Sequence, residues 1–495
     1  MSSAKLSNQT LSHLSAGVAT PAYDRNEVAV GIVHIGVGGF HRAHEAQYVD
    51  QVLGVPGQQN WAIAGIGMLP GDRLMKEVLD EQDGLYTLVT RTPAGTDTAR
   101  VIGSLARYVL AADDPDGALG LLVNASTKIV SLTITEGGYP IDQHTGEFDP
   151  AASVIRADAA RTDGSPKTAF GLIVEALRLR REQDLAPFTV MSCDNIQGNG
   201  EIARRSVVGM ARISNPELGD WIEEYGAFPN SMVDRITPAT TDSGRQFVTE
   251  KFGIEDRWPV ISESFTQWVL EDSFVDGRPA LERVGVQLVD DVRPYEAMKL
   301  RLLNASHQGV GYLGLLSGYQ YVHEAVDDPV IAEFLLGYMT DEASPTLPPL
   351  PGIDLERYRH ELLERFANPA IADTLARLVT DGTDRISTFL VPVLRDRLAA
   401  HQPIEHIALI LAAWAEYVRT TVASGGPEAL ADSRREEVIA AVHAENPRGA
   451  ELLSMAIFGD LRDDPLLIDA YTRARTKLHS LGPGVAMHAL STSKH

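Results

Sequence analysis

The sequence predicts an α/β fold for residues 1–290 and a mainly α-helical fold for residues 291–495. Three observations lead to this prediction. Short apolar segments alternate with helical patterns up to about Pro294, a glycine-rich turn follows the first apolar segment, and helical periodicity dominates after Pro294. A chain of 495 residues is long enough for two such domains, each with its own core.

The apolar segments of the N-terminal part are typical of buried strands, because they are short and rich in β-branched residues. They are Val28–Ile35, Trp61–Ile66, Lys128–Thr135 and Phe188–Ser192. Helical patterns such as Ala169–Arg181 lie between them, which indicates a mostly parallel sheet covered on both faces. Residues 1–26 are polar, and we expect them to form a surface arm.

The glycine-rich turn, IGVGGFHRAH, spans Ile35 to His44. Gly36 and Gly38 match the first two glycines of the dinucleotide-binding fingerprint, where a tight turn lets the backbone approach a pyrophosphate at a helix N-terminus. His41 occupies the third glycine position, which is a departure from the fingerprint. Because a strand precedes the turn and a helical pattern (His44–Leu53) follows it, we predict a Rossmann-type dinucleotide-binding domain. A plain strand-to-helix turn is the alternative.

The acidic residue that would hold the adenosine ribose is expected at the end of the second strand, and Asp72 is the first acid there. Asp72 favours NAD. Arg73 could instead accept a 2′-phosphate, so NADP stays open, and an ordinary surface turn is a further alternative. His41, His44 and Glu45 are potential metal ligands, but three such residues are a weak signal and we predict no metal site.

The composition excludes several classes of partner. Asp and Glu number 67 against 43 Lys and Arg, so the net charge of −24 disfavours nucleic acid and anionic membranes. Cys193 is the only cysteine, so no internal disulfide can form, as suits the cytoplasm. The first residues show no secretory signal, and the apolar run Ile407–Ala415 is too short to span a bilayer. We expect a cytoplasmic protein that is a monomer, with a homo-oligomer as the alternative.

The segment YEAMKLRLLNASHQ carries the main catalytic candidates in a Lys-x4-Asn-x2-His spacing. If the segment is a regular α-helix, each residue rotates the side chain by about 100° around the helix axis. Relative to Lys299, Glu296 then lies at about 60°, His307 at about 80° and Asn304 at about 140°. A lysine beside an amide and an imidazole could move a proton to or from an alcohol. A solvated polar helix face is the alternative.

Further polar groups follow predicted strands. Thr135 and Glu136 lie in ITEGGY, and Asn195 lies in SCDNIQGNG, where α/β sheets bind ligands at the carboxyl ends of their strands. Asp234 and Arg235 lie between apolar residues in NSMVDRITP, which makes burial more common than for an ordinary surface salt bridge.

Together these motifs resemble the polyol-specific long-chain dehydrogenases, with mannitol dehydrogenases as the nearest branch. IGVGGFHRAH, ITEGGY, SCDNIQGNG, NSMVDRITP and MKLRLLNASHQ occur in that order in the family. The resemblance covers nearly the whole chain from about residue 28. It implies an enzyme that oxidises D-mannitol to D-fructose with NAD, and the reverse, without a metal.

The resemblance also implies residue roles. Lys299 would be the general base, Asn195 and Asn304 would donate hydrogen bonds to the reacting oxygen, and Glu296 would pass the proton to water. His307, Asp234 and Arg377 would bind substrate hydroxyls, although the motif around Arg377 is loose. The implied cofactor-binding residues are Gly36, Val37, Gly38, Gly39, Phe40, Asp72, Thr135, Glu136 and Asn195. Since solvated lysine has a pKa of about 10.4 and is charged at neutral pH, a lysine base needs burial or a nearby positive charge.

Other functions stay open at this point. The same family includes arabinitol dehydrogenases and reductases of fructuronate or tagaturonate, and Arg377 could pair with a carboxylate. A nucleotide-binding sensor without catalytic activity is a more distant alternative, although such a protein would be expected to lose the lysine or the asparagines.

Overall fold

The computed structural model describes residues 3–142, 146–152, 155–156, 158, 166–445 and 449–491. The chain divides into two compact units, Met1–Arg293 and Pro294–His495.

The N-terminal unit contains the strands of the described chain. They are β1 (Ala4–Lys5), β2 (Val18–Ala19), β3 (Val30–Ile35), β4 (Ala62–Gly67), β5 (Tyr86–Arg91), β6 (Asp97–Ile102), β7 (Leu105–Leu110), β8 (Ile129–Leu132), β9 (Thr189–Ser192), β10 (Ser231–Asp234), β11 (Ile254–Glu255), β12 (Val260–Glu263), β13 (Gln267–Glu271) and β14 (Gln287–Val289). Its helices are α1 (Gly39–Ala43), α2 (Glu45–Leu53), α3 (Arg73–Glu81), α4 (Pro115–Val123), α5 (Ala169–Glu182), α6 (Asn199–Ser214), α7 (Pro216–Tyr225) and α8 (Asp242–Phe252).

The largest sheet has five parallel strands in the order β7-β4-β3-β8-β9. Along the chain this is the order 3-2-1-4-5 of a dinucleotide-binding sheet. Apolar side chains of alternate strand residues pack on α2 on one face and on α4, α5 and α6 on the other. All four predicted strands lie in this sheet and helices cover its two faces, so the predicted α/β fold is confirmed. The fifth strand of the sheet, β7, was not predicted.

Side chains cap the helices that cover this sheet. The Thr168 hydroxyl accepts a hydrogen bond from Gly171 N at 2.9 Å, and the Asp114 carboxylate accepts one from Gly117 N at 2.8 Å. Each cap satisfies a backbone donor that has no partner within its helix, and removal of such a cap typically costs about 1 kcal/mol.

Smaller sheets complete the N-terminal unit, in the orders β12-β5-β6-β2, β10-β13-β14 and β1-β11. Residues 3–26, the described part of the predicted surface arm, are not a simple arm, so that prediction is wrong. β1 pairs with β11 and β2 with β6, and the side chains of Leu6 and Val18 are buried in an apolar cluster with Val101. These two apolar residues are too isolated in the sequence to form a recognisable strand pattern.

The C-terminal unit is helical over its described residues. Beginning with the helix that crosses the unit boundary, its helices are α9 (Arg293–Met298), α10 (Ala305–Leu316), α11 (Val322–Val326), α12 (Pro329–Gly337), α13 (Leu355–Phe366), α14 (Leu375–Leu378), α15 (Gly382–Arg385), α16 (Val391–Ala399), α17 (Glu405–Gly425), α18 (Arg435–Ala444) and α19 (Pro465–Ser491). Among the described residues of this unit, three segments are π-helical, with about one extra residue per turn: Lys299–Asn304, Tyr338–Ala343 and Ile386–Leu390.

Helix α17 is central to this unit. The residues predicted to face the core are all buried, which confirms that prediction; they are Ile407, Ile410, Leu411, Trp414 and Val418. Among the helices of the described ranges, α17 alone is long and apolar enough to cross a membrane, and more than half of its most apolar stretch is buried inside the fold. Core helices of water-soluble proteins pass the same test, so this is weak support for a membrane span.

The single cysteine, Cys193, directly follows β9 and is 1% exposed. Burial raises the pKa of its thiol well above the ordinary value.

Candidate active site

The glycine turn begins directly after β3. Gly36 has φ +99°, and a Cβ there would overlap the carbonyl oxygen of Thr133, so no larger residue fits. At Gly38 a Cβ would meet only the Gly36 carbonyl oxygen, at 3.8 Å. The turn therefore leaves open space beside its backbone at Gly38, as close approach of a pyrophosphate requires.

A cleft of about 630 Å³ lies beside this turn. The cleft is at the point where the strand order reverses between β3 and β8, which is where open α/β sheets bind dinucleotides. Of the predicted cofactor-binding residues, its lining includes Gly36, Val37, Gly38, Asp72 and Thr135.

The other predicted cofactor residues flank the same loops. Gly39 is the first residue of α1, and the Phe40 ring stacks on His44 with centroids 4.9 Å apart. Glu136 begins a short 3₁₀ turn after Thr135. Asn195 is exposed and lies three residues after the end of β9.

Asp72 ends a 3₁₀ turn, Pro70–Asp72, shortly after β4. Its Oδ2 accepts a hydrogen bond from Leu69 N at 2.9 Å, which fixes the carboxylate at the cleft. The neighbouring Arg73 binds both carboxylate oxygens of Asp113, each at 2.6 Å. Because this guanidinium is already paired, it is poorly placed to receive a 2′-phosphate, and the arrangement favours NAD.

The histidines of the turn are buried behind it. His41 contacts His34 of β3 and the Glu45 carboxylate, whereas His44 Nε2 donates to the carbonyl oxygen of Gln267 at 2.9 Å. Burial, with the nearby positive charges, lowers the pKa of His41 well below the ordinary value, so this imidazole is neutral. The third glycine position is thus filled by a packed core side chain.

His34, His41 and Glu45 form the one group of three potential metal ligands found within the described ranges, with ligand atoms within 4.8 Å of one another. The two imidazole rings are stacked, with centroids 3.5 Å apart and planes inclined by 16°. Because the lone pair of an imidazole nitrogen lies in its ring plane, stacked rings direct their nitrogens along separate planes rather than at one ion. This geometry fits side-chain packing better than metal coordination.

Asp234 is the last residue of β10 and is buried, as is Arg235 after it. Arg235 donates to the carbonyl oxygens of Glu263, at 3.0 and 3.1 Å, and of Ala43. Burial lowers the pKa of the Arg235 guanidinium to about 10. Arg235 therefore ties β10 to the end of α1 and holds the backbone that carries Asp234.

The Lys299 segment is helical, but it is not a regular α-helix. Lys299–Asn304 forms a π-helical turn, in which Ala305 N–H bonds to the Leu300 carbonyl five residues earlier. The wide turn accommodates one extra residue, so the side chains after it are rotated back by about 100° around the helix axis compared with a regular α-helix. Measured around that axis from Lys299, Asn304 therefore lies at about 40° and His307 at about −20°. The angles expected for a regular helix are therefore wrong, and the true arrangement groups Glu296, Lys299, Asn304 and His307 more closely on one side.

These side chains are withdrawn from solvent. Glu296, Lys299 and His307 are 6%, 7% and 9% exposed, and Asn304 is half-buried. The Asn304 Oδ1 atom is buried and has no hydrogen-bond partner within the described part of the chain. A buried amide oxygen of this kind can accept a hydrogen bond from a polar ligand.

His307 and Arg377 lie in the same unit and interact electrostatically. Burial, reinforced by the positive charge of Arg377 and two other arginines, lowers the pKa of His307 to about 3, although Asp373 opposes this. Arg377 donates to Asp373 through Nε at 2.6 Å and through a second, shorter bond. His307 is thus a neutral hydrogen-bonding group, and Arg377 is a paired cation.

Sequence reasoning missed three buried residues that support the cleft: His34, Tyr139 and Asp194. Tyr139 and Asp194 occur within the motifs ITEGGY and SCDNIQGNG, so the signal was present there without an assigned role. His34 was concealed within a strand, since a single polar residue in an apolar segment has no pattern that marks it.

The sheet order, the glycine turn and the cleft define a protein with a Rossmann-type dinucleotide-binding domain and a helical second domain. Residues 30–283 match the family model of the mannitol dehydrogenase Rossmann domain, and residues 291–479 match that of the mannitol dehydrogenase C-terminal domain. The chain belongs to the mannitol dehydrogenase family.

Similar proteins include mannitol 2-dehydrogenase from Aspergillus fumigatus, 44% identical over 485 residues and 96% of each chain. Among solved structures, mannitol 2-dehydrogenase from Pseudomonas fluorescens, a ternary complex with NAD and D-mannitol, is 41% identical and matches 99% of this chain and 100% of its own with a TM-score of 0.83. A D-sorbitol dehydrogenase in substrate-free form is 38% identical and matches 97% of this chain and 100% of its own with a TM-score of 0.91.

Proposed function

We propose that the protein is an NAD-dependent mannitol 2-dehydrogenase that oxidises D-mannitol to D-fructose and catalyses the reverse reduction. Membership of the mannitol dehydrogenase family over nearly the whole chain carries this proposal. The Pseudomonas fluorescens relative, solved with NAD and D-mannitol, supports both the cofactor and the substrate.

The residues of the cleft fit NAD. The open backbone at Gly38 would hold the pyrophosphate, and the Asp72 carboxylate would accept hydrogen bonds from the ribose hydroxyls. When bound, the nicotinamide ring supplies the hydride chemistry. Arg73 is paired with Asp113, which supports NAD over NADP as the preferred cofactor.

The proton chemistry is assigned to the Lys299 helix. Lys299 would take the hydroxyl proton as carbon loses its hydride, and Glu296 would pass that proton to water, so the overall products are ketose, NADH and a proton. Asn304 would donate an amide hydrogen bond to the reacting oxygen, as would Asn195. Burial of Lys299 supports its assignment as the base, and the unsatisfied Oδ1 of Asn304 could accept a hydrogen bond from a substrate hydroxyl while its NH₂ group donates. His307 and Asp234 would bind neighbouring hydroxyls.

The pairing of Arg377 supports a neutral substrate over a uronate. Two charge-assisted hydrogen bonds already join this guanidinium to Asp373, so a substrate carboxylate would have to compete with a fixed carboxylate. A neutral polyol can instead accept a hydrogen bond from the pair without displacing it.

D-Sorbitol is the second candidate substrate, because the D-sorbitol dehydrogenase matches this chain with the TM-score of 0.91. D-Mannitol and D-sorbitol differ at one carbinol centre, so the hydrogen-bonding partners proposed here do not by themselves separate them. Arabinitol and the uronates remain weaker alternatives.

A substrate panel tests the proposal. We expect the highest kcat/KM for D-mannitol with NAD and D-fructose with NADH, at least about tenfold above D-sorbitol, D-arabinitol, fructuronate and tagaturonate, and above the NADP(H) reactions. A kcat/KM that is higher for D-sorbitol than for D-mannitol would make D-sorbitol the assigned substrate. NADH binding without turnover of any panel member would support the non-catalytic sensor instead.

The proposal includes a cytoplasmic enzyme that acts as a monomer. The single, buried cysteine suits a reducing compartment, and the net charge of −24 opposes loose self-association. Light scattering of the purified protein would give the mass of one 495-residue chain if the monomer assignment is correct.

A further inference from the structure

Thr135 has an unusual backbone conformation at the cofactor cleft. Its φ is 63° and its ψ is 166°, a combination that is essentially restricted to glycine. Of the non-glycine residues with positive φ in the described ranges, Thr135 alone is β-branched. Such a conformation is strained, and it persists only where neighbouring groups hold it.

The carboxylate of Asp194 binds the backbone at this residue. Oδ1 accepts a hydrogen bond from Thr135 N at 2.8 Å, and Oδ2 accepts one from Ile134 N at 3.0 Å. Two consecutive peptide groups at the end of β8 are therefore fixed by one side chain that extends from the end of β9.

Asp194 is itself held rigidly. It is 6% exposed, and the Tyr139 hydroxyl donates to its Oδ2 at 2.7 Å while also lying 2.7 Å from Ser192 Oγ. The Asp194 carbonyl accepts a further hydrogen bond from Asn199 Nδ2 at 3.0 Å. Because both its side chain and its main chain are anchored, Asp194 can impose a conformation on the loop instead of adapting to it.

We propose that Asp194 is a positioning residue that keeps Thr135 in its strained conformation and so gives the cleft the shape that accepts the dinucleotide. This inference rests on the proposed use of NAD. Thr135 lines the cleft, whereas Asp194 acts through the two backbone N–H groups that it binds.

Replacement of Asp194 by Asn tests the proposal. An amide can accept only one of the two backbone hydrogen bonds, and its NH₂ group would oppose the other N–H, so Thr135 is expected to relax. We expect Asp194→Asn to raise the Kd for NADH, measured by fluorescence titration, about tenfold or more. The KM for NAD should rise likewise, while kcat at saturating NAD and the KM for D-mannitol stay within about threefold of wild type.

A rescue experiment separates positioning from general stability. Glycine adopts the conformation of Thr135 without strain, so Thr135→Gly should restore NADH affinity in the Asp194→Asn background to within about threefold of Thr135→Gly alone. The matched control is Asp256→Asn, which alters another buried carboxylate of the same unit that accepts hydrogen bonds from Thr87 N and Trp258 N. It should lower the melting temperature and leave NADH affinity within about threefold of wild type.

A folded Asp194→Asn variant with wild-type NADH affinity would overturn the proposal. The proposal would also be overturned if the effects of Asp194→Asn and Thr135→Gly on the free energy of NADH binding were strictly additive in the double variant. If Asp194→Asn does not fold, Tyr139→Phe removes one of the anchoring bonds and should raise the Kd for NADH about fivefold, and a Kd within about threefold of wild type would again overturn the proposal. NADH binding that depends on Asp194 without turnover of any polyol would refute the proposed function and leave this inference standing.

Discussion

At the scale of single residues, the Lys299 helix places a buried amine among groups able to move its proton. Lys299 is 7% exposed and shares one side of the helix with Glu296, Asn304 and His307. A general base typically contributes two to four orders of magnitude to the rate, roughly, so the assignment has a measurable consequence.

We predict that Lys299→Ala lowers kcat for D-mannitol at least about a hundredfold and leaves the Kd for NADH within about threefold. The base is lost, while the glycine turn that would bind the pyrophosphate is unchanged. Stopped-flow turnover and fluorescence titration give the two quantities. Lys477→Ala, on α19, is the control and should retain wild-type values for both. Wild-type turnover in Lys299→Ala would refute the assignment of the base.

His307 gives a prediction for pH dependence. An unfolded chain binds a proton on histidine at about pH 6.5, whereas folded His307, with its pKa lowered to about 3 by burial, stays neutral. Between these values the unfolded state binds more protons, so the free energy of unfolding must fall as the pH decreases. His307→Gln should therefore lose less stability than wild type between about pH 7 and pH 4.5.

Urea unfolding of both proteins at the two pH values measures this difference. The exposed His13 provides a control, since His13→Gln should keep the wild-type dependence. An equal loss of stability in wild type and His307→Gln would show that His307 takes up its proton in the folded protein.

At the scale of elements, the spacing Lys-x4-Asn places both side chains on one side of the helix only because the turn between them is π-helical. Five residues carry a side chain about 140° around an α-helix, but the π-helical turn reduces this to about 40°. Nothing in a single sequence distinguishes the two, because the residues of the wide turn are ordinary helix formers.

Two length changes at this turn test the geometry. Deletion of Leu300 should convert it to a regular α-helix in which Lys299 and Asn304 still share a side, so we expect about 1% or more of the wild-type kcat. Insertion of one Ala at the same place should rotate Asn304 by about 100° and abolish turnover. Circular dichroism checks that both variants are folded, and equal loss of activity in two folded variants would contradict the role of the shared side.

The sequence permitted prediction of the central sheet but not of every strand in it. Val28–Ile35 and the three later segments are continuous apolar runs, which the buried strands of a parallel sheet require. Edge strand β7 has Arg107 and exposed positions, so its sequence lacks such a run. The Asp194 network was equally hidden, since the hydrogen bonds between the ends of β8 and β9 depend on tertiary structure.

At the scale of the whole molecule, we propose that the reaction proceeds without a metal ion. The imidazoles that contact Glu45 are stacked rather than directed at a common point. We predict that prolonged dialysis against EDTA leaves kcat within about twofold of the untreated enzyme, measured with D-mannitol and NAD in chelator-treated buffer. Activity that is lost on dialysis and restored by zinc would contradict this prediction.

The lone thiol of Cys193 has a practical consequence. Alkylating reagents attack thiolates that they can reach. The Cys193 sulfur is buried just after the end of β9, and burial raises the pKa of its thiol, so little thiolate forms. A fluorophore could therefore be attached at any single surface cysteine engineered into the chain, without first removing the native one. Dye-labelled enzyme of this kind would carry one fluorophore at one chosen position, with the native cysteine left in place.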